Sequence, residues 1–356
     1  MNTLLLCPEI FVSEGGIPRM LRLYLRALCE EAGEAPGNQV SLAALNDPTF
    51  PPSALARYGN DRLVGTAACS RSKLRLILAA LRLGRQADRI VCGHVRQLFI
   101  ARLARLFRPR LNYYLVAHGI EVWRKFGPAE RSALRGTRRI FCVSDFTRAA
   151  MAKNCPELRP EQLAVLPNAL DPAFGIAAAP ARANAHRLLT VTRLSSADAY
   201  KGVDHLIATL PLIRRTLPDA SLRVAGTGDD QARLEALAHS HGVGGAVQFL
   251  GFVEEARLAE EFEACDLFVL PSEKEGFGLV YLEAMAHGKP CIGARAGGAP
   301  EVITDGCGAL VNYGDVTGLA SACVAALQQK WNVEAILDRA RYFSYENFRT
   351  RLAALW

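Results

Sequence analysis

Leu267-Phe268-Val269-Leu270-Pro271-Ser272-Glu273-Lys274-Glu275-Gly276-Phe277-Gly278-Leu279-Val280-Tyr281-Leu282-Glu283-Ala284-Met285-Ala286-His287-Gly288 is the stretch from which the rest of the chain can be read. Its first four residues are apolar and read as a buried strand. Leu279 to His287 read as a short apolar helix, stopped by Gly288 and then Pro290. Between them lies a glycine-rich turn with an acid at its mouth. Glycines let backbone N–H groups approach a ligand, and a helix N-terminus favours negative charge. A strand, turn and helix in this order therefore suit a phosphorylated or polyhydroxyl ligand. On one continuous helix Glu275 and Glu283 would point about 80° apart, at about 100° per residue. Gly276 and Gly278 disfavour such a helix in any case. The sequence places Glu275 on the turn and Glu283 about one turn inside the helix, so that they meet different parts of one ligand. The plainer alternative is a solvated loop acid and a helix-surface acid. For Glu283 the apolar neighbours Leu282, Ala284, Met285 and Ala286 weigh against it.

A chain of 356 residues, 50% hydrophobic and 22% charged, has the size and composition of a globular protein of two domains. No run of about 18 uncharged apolar residues predicts a membrane-spanning helix. Leu74 to Leu83 comes nearest, and Arg75 and Arg82 interrupt it. The first residues lack a basic start and their apolar run ends at Pro8-Glu9, which argues against a secretory signal. The ten cysteines include no Cys-x-x-Cys, and several fall inside apolar strands. Buried free thiols in a reducing cytosol are expected, and a zinc site is not.

Charge is unevenly shared. The net charge is +7, with about +11 on residues 1–180 and about −4 on residues 181–356. Between Arg71 and Arg110 eleven basic residues face one acid, Asp88. Arg75, Arg82 and Arg89, then Arg102, Arg105 and Arg108, recur at helix-like spacing beside leucines. This predicts amphipathic helices with a cationic face, suited to an anionic membrane surface or an anionic acceptor. A merely solvated basic face is the equal alternative. No aromatic interleaving or recognisable module accompanies the charge, which excludes nucleic acid as the expected partner.

Short apolar strands alternate with helical stretches along the whole chain. The strands expected are Thr3–Cys7, Val40–Leu45, Arg89–Cys92, Tyr113–Ala117, Ile140–Val143 and Leu163–Leu166. After a Pro/Ala-rich linker, residues 171–185, come Leu188–Thr192, Leu222–Ala225, Val247–Leu250, Leu267–Leu270, Cys291–Gly293 and Leu310–Val311. Continuous apolar strands separated by helices mean parallel sheets covered on both faces. Two such series predict an α/β protein of two doubly wound, Rossmann-like domains facing a cleft, residues 1–175 and 176–340. Ligands are then expected at the carboxyl ends of the strands.

Several strand ends carry candidate groups. Gly15-Gly16 precedes a helical pattern from Arg19 to Leu28, and can bring N–H groups to a phosphate or simply make a loop. His118-Gly119 follows the strand Tyr113–Ala117 and precedes Glu121, at a place where a histidine is as readily functional as structural. Arg193 follows Leu188–Thr192, and Lys201-Gly202 opens the next helix. Two such cations can neutralise a diphosphate leaving group, or can be surface charges. Gly226-Thr227-Gly228 is a weaker phosphate loop or a cleft-shaping turn. Gly297-Gly298-Ala299-Pro300-Glu301 is another tight loop before a helix, with Glu301 placed to interact with the helix dipole.

Taken in order, these pieces resemble the GT-B glycosyltransferases of family 4, the retaining nucleotide-sugar enzymes. The resemblance spans nearly the whole chain. Gly15-Gly16, His118-Gly119, Pro167-Asn168, Arg193…Lys201-Gly202, Phe249-Leu250-Gly251, Glu275 with Glu283 in the family's Glu-x7-Glu motif, and Gly297-Gly298…Pro300-Glu301 carry it. It implies that Glu275 holds hydroxyls of the donor sugar. It further implies that Gly276, Phe277 and Gly278 present N–H groups to that sugar, with Leu279 and Val280 against the phosphate and nucleoside. Glu283 would hold the ribose hydroxyls, and Arg193 and Lys201 the diphosphate, with Gly15-Gly16 closing on it from the other domain. His118 would sit near the reacting sugar, and Phe252 would line the base pocket. Residues 341–356 would form a helix returning to the first domain.

The implied activity is transfer of a sugar from a UDP- or GDP-sugar to a glycan or lipid-linked glycan in bacterial envelope or exopolysaccharide biosynthesis. Fixed cations and N–H groups can stabilise the departing nucleoside diphosphate, and no Asp-x-Asp motif is present, so neither metal nor cofactor is expected. The expected location is cytoplasmic, peripheral at the inner face of the plasma membrane. The alternatives are a nucleotide-sugar epimerase or phosphorylase of the same architecture, or a non-catalytic nucleotide- or glycan-binding protein. A phosphorylase would usually need a longer chain and a pyridoxal lysine site, and no such site is readable.

Overall fold

Thr3-Leu4-Leu5-Leu6-Cys7 forms a strand buried along its whole length, β1 (Thr3–Cys7). Such a run is buried on both faces only in a sheet that helices cover on both sides. In the computed structural model, which describes residues 1–176 and 185–356, β1 is central to a seven-stranded parallel sheet. Its other strands are β2 (Val40–Ala44), β3 (Leu63–Ala68), β4 (Arg89–Cys92), β5 (Asn112–Ala117), β6 (Arg139–Cys142) and β7 (Leu163–Val165). The order is β3-β2-β1-β4-β5-β6-β7. A second parallel sheet comprises β8 (Arg187–Val191), β9 (Ser221–Ala225), β10 (Val247–Gly251), β11 (Leu267–Leu270), β12 (Cys291–Ala294) and β13 (Gly308–Val311), in the order β10-β9-β8-β11-β12-β13.

Two doubly wound sheets are thus present, as the strand pattern predicted. The chain divides into one compact unit of Met1–Asp171 with Tyr345–Trp356, and a second of Pro172–Ser344. Most of the linker expected over residues 171–185, namely 177–184, lies outside the described residues. In each sheet the strand order reverses at one place, between β1 and β4 in the first and between β8 and β11 in the second. Open α/β sheets bind ligands outside the carboxyl ends of the strands at such points. Gly15-Gly16 follows β1. Arg193 follows β8, and Glu275 follows β11.

Three features depart from the sequence reading. β3 was not expected, because Leu63–Ala68 is an edge strand whose residues are only partly covered. Arg89 opens β4, as the expected strand Arg89–Cys92 had it, and does not lie on the helix face that its spacing from Arg75 and Arg82 suggested. It is 3% exposed, donates to Thr3 Oγ1 at 2.7 Å and pairs with Glu31 at 2.5 Å. The cationic stripe therefore loses that member to the core. The closing segment is two helices, Val333–Tyr342 and Tyr345–Ala353, separated at Phe343-Ser344. The second is tied into the first unit. Tyr345 donates to Glu30 at 2.8 Å, Trp356 meets Tyr114 and Phe141 edge-on at 4.9 and 5.3 Å, and the Arg89 guanidinium lies 3.8 Å over the Trp356 ring.

The turn after β1 has an anchor that motif reading passes over. Asp47 is fully buried, and its carboxylate accepts the N–H groups of Ile10 (2.9 Å), Phe11 (2.8 Å) and Val12 (3.0 Å). These three amides lie outside every helix and strand, so the carboxylate supplies the partners that a ladder would otherwise give. All ten cysteines are buried and unpaired by disulfides.

Candidate active site

β11 runs straight into the turn Pro271–Gly278, and the helix Leu279–Ala286 begins immediately after it. Gly278 is the N-cap residue, with φ 94°. A side chain is doubly excluded there, by that left-handed backbone and by the Tyr281 ring, 2.3 Å from where a Cβ would sit. Tyr281 is itself fixed, donating its hydroxyl to Leu270 O at 2.6 Å. The Phe277 side chain turns inward against Phe343, with ring centroids 5.2 Å apart. Leu279 and Val280 in the first helical turn are half-buried.

The glycines of the next strand end buttress this turn. Gly298 N–H donates to Glu275 O at 2.7 Å. A Cβ on Gly297 would lie 2.2 Å from Glu275 O, and one on Gly298 would lie 2.3 Å from Gly276 O. Gly297-Gly298 is therefore glycine because another peptide occupies the space of a side chain. Gly226-Thr227-Gly228 backs the Arg193 loop in the same way: Leu194 N–H donates to Thr227 O at 2.9 Å, and a Cβ on Gly228 would lie 2.0 Å from Leu194 O.

Glu275 sits on the turn and its carboxylate meets the Lys201 ammonium at 2.7 Å. The side chains are 13% and 18% exposed, so the pair is partly desolvated yet reachable. Lys201 ends a tight 3-10 segment, Ser196–Lys201, and Gly202 caps the helix Val203–Thr216 that follows. Arg193, 75% exposed, pairs with Asp198 at 3.0 Å. Glu283 is the fifth residue of its helix and only 3% exposed, which removes the surface-acid alternative. Phe252, just beyond β10, is 67% exposed. Glu275, Gly276, Lys201 and Arg193 thus belong to loops following the two strands at which the second sheet reverses. They place two cations, each paired with a carboxylate, beside a helix N-terminus.

In the first unit His118 follows β5. Its N–H donates to Glu121 Oε1 at 2.6 Å, and its Nε2 donates to Gly93 O at 3.0 Å. A carbonyl can only accept, so the bond fixes the tautomer and leaves Nδ1 as an acceptor. Burial pushes the imidazole pKa down to about 4, against a smaller opposing effect of the Gly93 bond. At neutral pH His118 is uncharged and can accept a hydroxyl hydrogen bond. Burial also raises the Glu121 pKa and lowers that of His94, the N-cap of the turn after β4. Gly15 and Gly16 begin the helix Gly16–Gly33, whose N-terminus has no side-chain cap and no acid in its first turn.

Residues 15–174 match the family described as Glycosyltransferase Family 4, and residues 185–329 the family described as Glycosyl transferases group 1. The chain belongs to the family 4, group 1 glycosyltransferases. This family 4 chain is 42% identical over 133 residues to N-acetyl-alpha-D-glucosaminyl L-malate synthase of Bacillus anthracis, covering 37% of this chain and 34% of that protein. It is 34% identical over 241 residues to a GDP-mannose-dependent alpha-(1-6)-phosphatidylinositol monomannoside mannosyltransferase of Mycobacterium tuberculosis, covering 63% of this chain and 60% of that protein. The chain spans between about a third and three fifths of the length of these curated relatives. Among solved structures, Anabaena HepE in complex with UDP matches with a TM-score of 0.79, 21% identity and 99% of both chains covered. That likeness shows the GT-B fold of the family 4 chain.

Motif reading missed Asp198, Tyr200 and Lys274 in this family 4 site. Tyr200 donates its hydroxyl to Asp198 at 2.8 Å, while Lys274 lies against the Tyr200 ring. For Asp198 and Tyr200 the only signal was an acid and an aromatic in the loop separating Arg193 from Lys201, while Lys274 stood unmarked beside Glu275 in the glycine-rich turn.

Proposed function

We propose that this chain transfers a sugar from a UDP- or GDP-sugar to a glycan or lipid-linked glycan of a bacterial envelope or exopolysaccharide, with retention of configuration. The observation that carries the reading is the Lys201–Glu275 pair at 2.7 Å on the turn that opens the Leu279 helix. One group suits a phosphate and the other suits sugar hydroxyls. HepE, solved with UDP and with UDP-glucose, and the GDP-mannose-dependent relative support a nucleotide-sugar donor.

In this reading the anomeric C–O bond breaks and its electron pair leaves on the distal phosphate. Arg193 and Lys201 stabilise that charge. Glu275 and the N–H groups of Gly276, Phe277 and Gly278 hold the sugar. Leu279 and Val280 lie along the phosphate and nucleoside, Glu283 binds the ribose, and Phe252 covers the base. The acceptor oxygen attacks from the face the diphosphate is leaving, and its proton passes to a phosphate oxygen. Side-chain cations and backbone N–H groups are the charge-stabilising groups in this reading, which assigns no metal or cofactor to the transfer. Incubation with UDP- and GDP-sugars should release nucleoside diphosphate at the same rate in EDTA, and NMR of the product should show an α-linkage from an α-linked donor. Loss of turnover in EDTA, or a β-linkage, contradicts the mechanism.

The proposed location is cytoplasmic, peripheral at the inner face of the plasma membrane. Among the described residues no helix is long and apolar enough to cross a membrane. The helices Lys73–Gly84 and Leu98–Phe107 pack against one another, and Leu74, Leu78, Phe99, Leu106 and Phe107 on them are exposed. Lys73, Arg75, Arg82, Arg102 and Arg105 are exposed on the same two helices. Apolar groups among cations suit shallow insertion into an anionic surface, each cation contributing about 1 kcal/mol. The protein should cosediment with phosphatidylglycerol-rich vesicles at low salt. It should be released in about 1 M salt, where the Debye length falls to about 3 Å. Equal binding to phosphatidylcholine vesicles, or none to either, removes the membrane from the proposal and leaves a soluble acceptor.

A further inference from the structure

Two loops of the second unit meet at Tyr200, through its backbone carbonyl and through its ring. Tyr200 O accepts the N–H of Glu273 at 2.8 Å, which joins the 3-10 segment Ser196–Lys201 to the turn carrying Glu275. The Tyr200 hydroxyl donates to one oxygen of Asp198 at 2.8 Å, and the other oxygen of Asp198 pairs with Arg193 at 3.0 Å. The Tyr200 ring has the Lys201 ammonium 5.6 Å and the Lys274 ammonium 5.5 Å from its centroid. Arg193, Lys201 and Lys274 therefore touch Tyr200 directly or through one carboxylate. A phenol also suits this place because it stays neutral. Burial first, and then Asp198, push its pKa up.

We propose that Tyr200 is the positioning residue for Arg193 and Lys201, and that Lys274 is a third cation for the donor's diphosphate. The proposal rests on the donor-site reading given above. Three flexible basic side chains would otherwise sample many rotamers, and ordering them on binding costs affinity. The ring and its Asp198 bond restrict them beforehand. Lys274 immediately precedes Lys201's carboxylate partner Glu275 and is exposed, so its ammonium can turn from the ring face to a phosphate. The Lys201–Glu275 and Arg193–Asp198 pairs are each neutral, whereas a nucleoside diphosphate is an anion; among the described residues Lys274 makes no ion pair and so adds a net positive charge.

The test compares binding of UDP and GDP with binding of uridine and guanosine by calorimetry, alongside donor turnover. Lys274→Ala should weaken the diphosphate about 5–10-fold, flatten the salt dependence of its binding, and leave the nucleoside unchanged. Tyr200→Leu removes both ring contacts and the hydroxyl bond, and should lower donor kcat/KM by about 10-fold. Tyr200→Phe retains the ring and should recover most of that loss. A purely structural tyrosine would instead weaken nucleoside and diphosphate alike, and that result overturns the positioning role. Unchanged diphosphate affinity in Lys274→Ala overturns the third-cation role even if Tyr200→Leu fails to fold. If the wild type binds and turns over a donor while both variants match it, this proposal alone falls. If the wild type binds neither diphosphate, the donor reading falls and takes this proposal with it.

Discussion

Glu275→Ala should lower sugar transfer by about 100-fold or more, and Lys201→Ala should do the same, the size seen when one preorganised electrostatic partner is lost. The two side chains meet at 2.7 Å while each remains partly exposed, so an incoming donor can engage both. Each substitution also leaves the other charge without its partner in a partly dry place, which costs stability as well as rate. The circular dichroism spectrum and unfolding midpoint must therefore be read beside the kinetics. Glu275→Gln separates the effects, because it retains a hydrogen-bonding group and removes the charge. It should fall between wild type and alanine. Near-normal rates in both alanine variants, with the fold intact, would sink the assignment of these residues to donor and leaving group.

Asp47→Ala should destabilise the first unit by about 3 kcal/mol or more. The variant strands the buried amide of Ile10 and the partly buried amides of Phe11 and Val12, and an orphaned buried donor costs about 1–3 kcal/mol. That is a large share of the roughly 5–15 kcal/mol that holds a domain together. Urea unfolding followed by tryptophan fluorescence and by circular dichroism measures it. Asp47→Asn retains a carbonyl oxygen and should lose less. An unshifted midpoint for Asp47→Ala would mean that water replaces the carboxylate freely.

The doubly wound fold was legible because most of its strands are short, wholly buried and therefore continuously apolar, as in Thr3–Cys7 and Leu267–Leu270. β3 escaped because an edge strand need not be apolar on both sides, and Gly65 interrupts its pattern. Arg89 carries two sequence signals, the strand Arg89–Cys92 and a helical spacing from Arg82; the fold uses the strand, and Glu31, 58 residues away in sequence, pairs with it at the core. Spacing reports only local neighbours. Glu275 and Lys201 stood out because glycines and helix starts mark their loops. Asp47 had no such mark, since its partners lie 35 to 37 residues earlier. Tyr200 has its partners close by, but its significance lies in the loop Glu273–Glu275, which the fold brings to it.

The buried cysteines have a practical consequence. None of the ten presents a surface thiol, and for Cys7, Cys92, Cys142, Cys291 and Cys323 burial also pushes the thiol pKa up, away from the reactive thiolate. An alkylating reagent therefore meets an inert protein until the backbone opens, and its rate of uptake becomes a clock for that opening. Cys7, Cys29, Cys69, Cys92, Cys142 and Cys155 report on the first unit, and Cys265, Cys291, Cys307 and Cys323 on the second. Mass spectrometry of the labelled peptides can thus time the breathing of each half separately, in the native sequence and with no probe introduced.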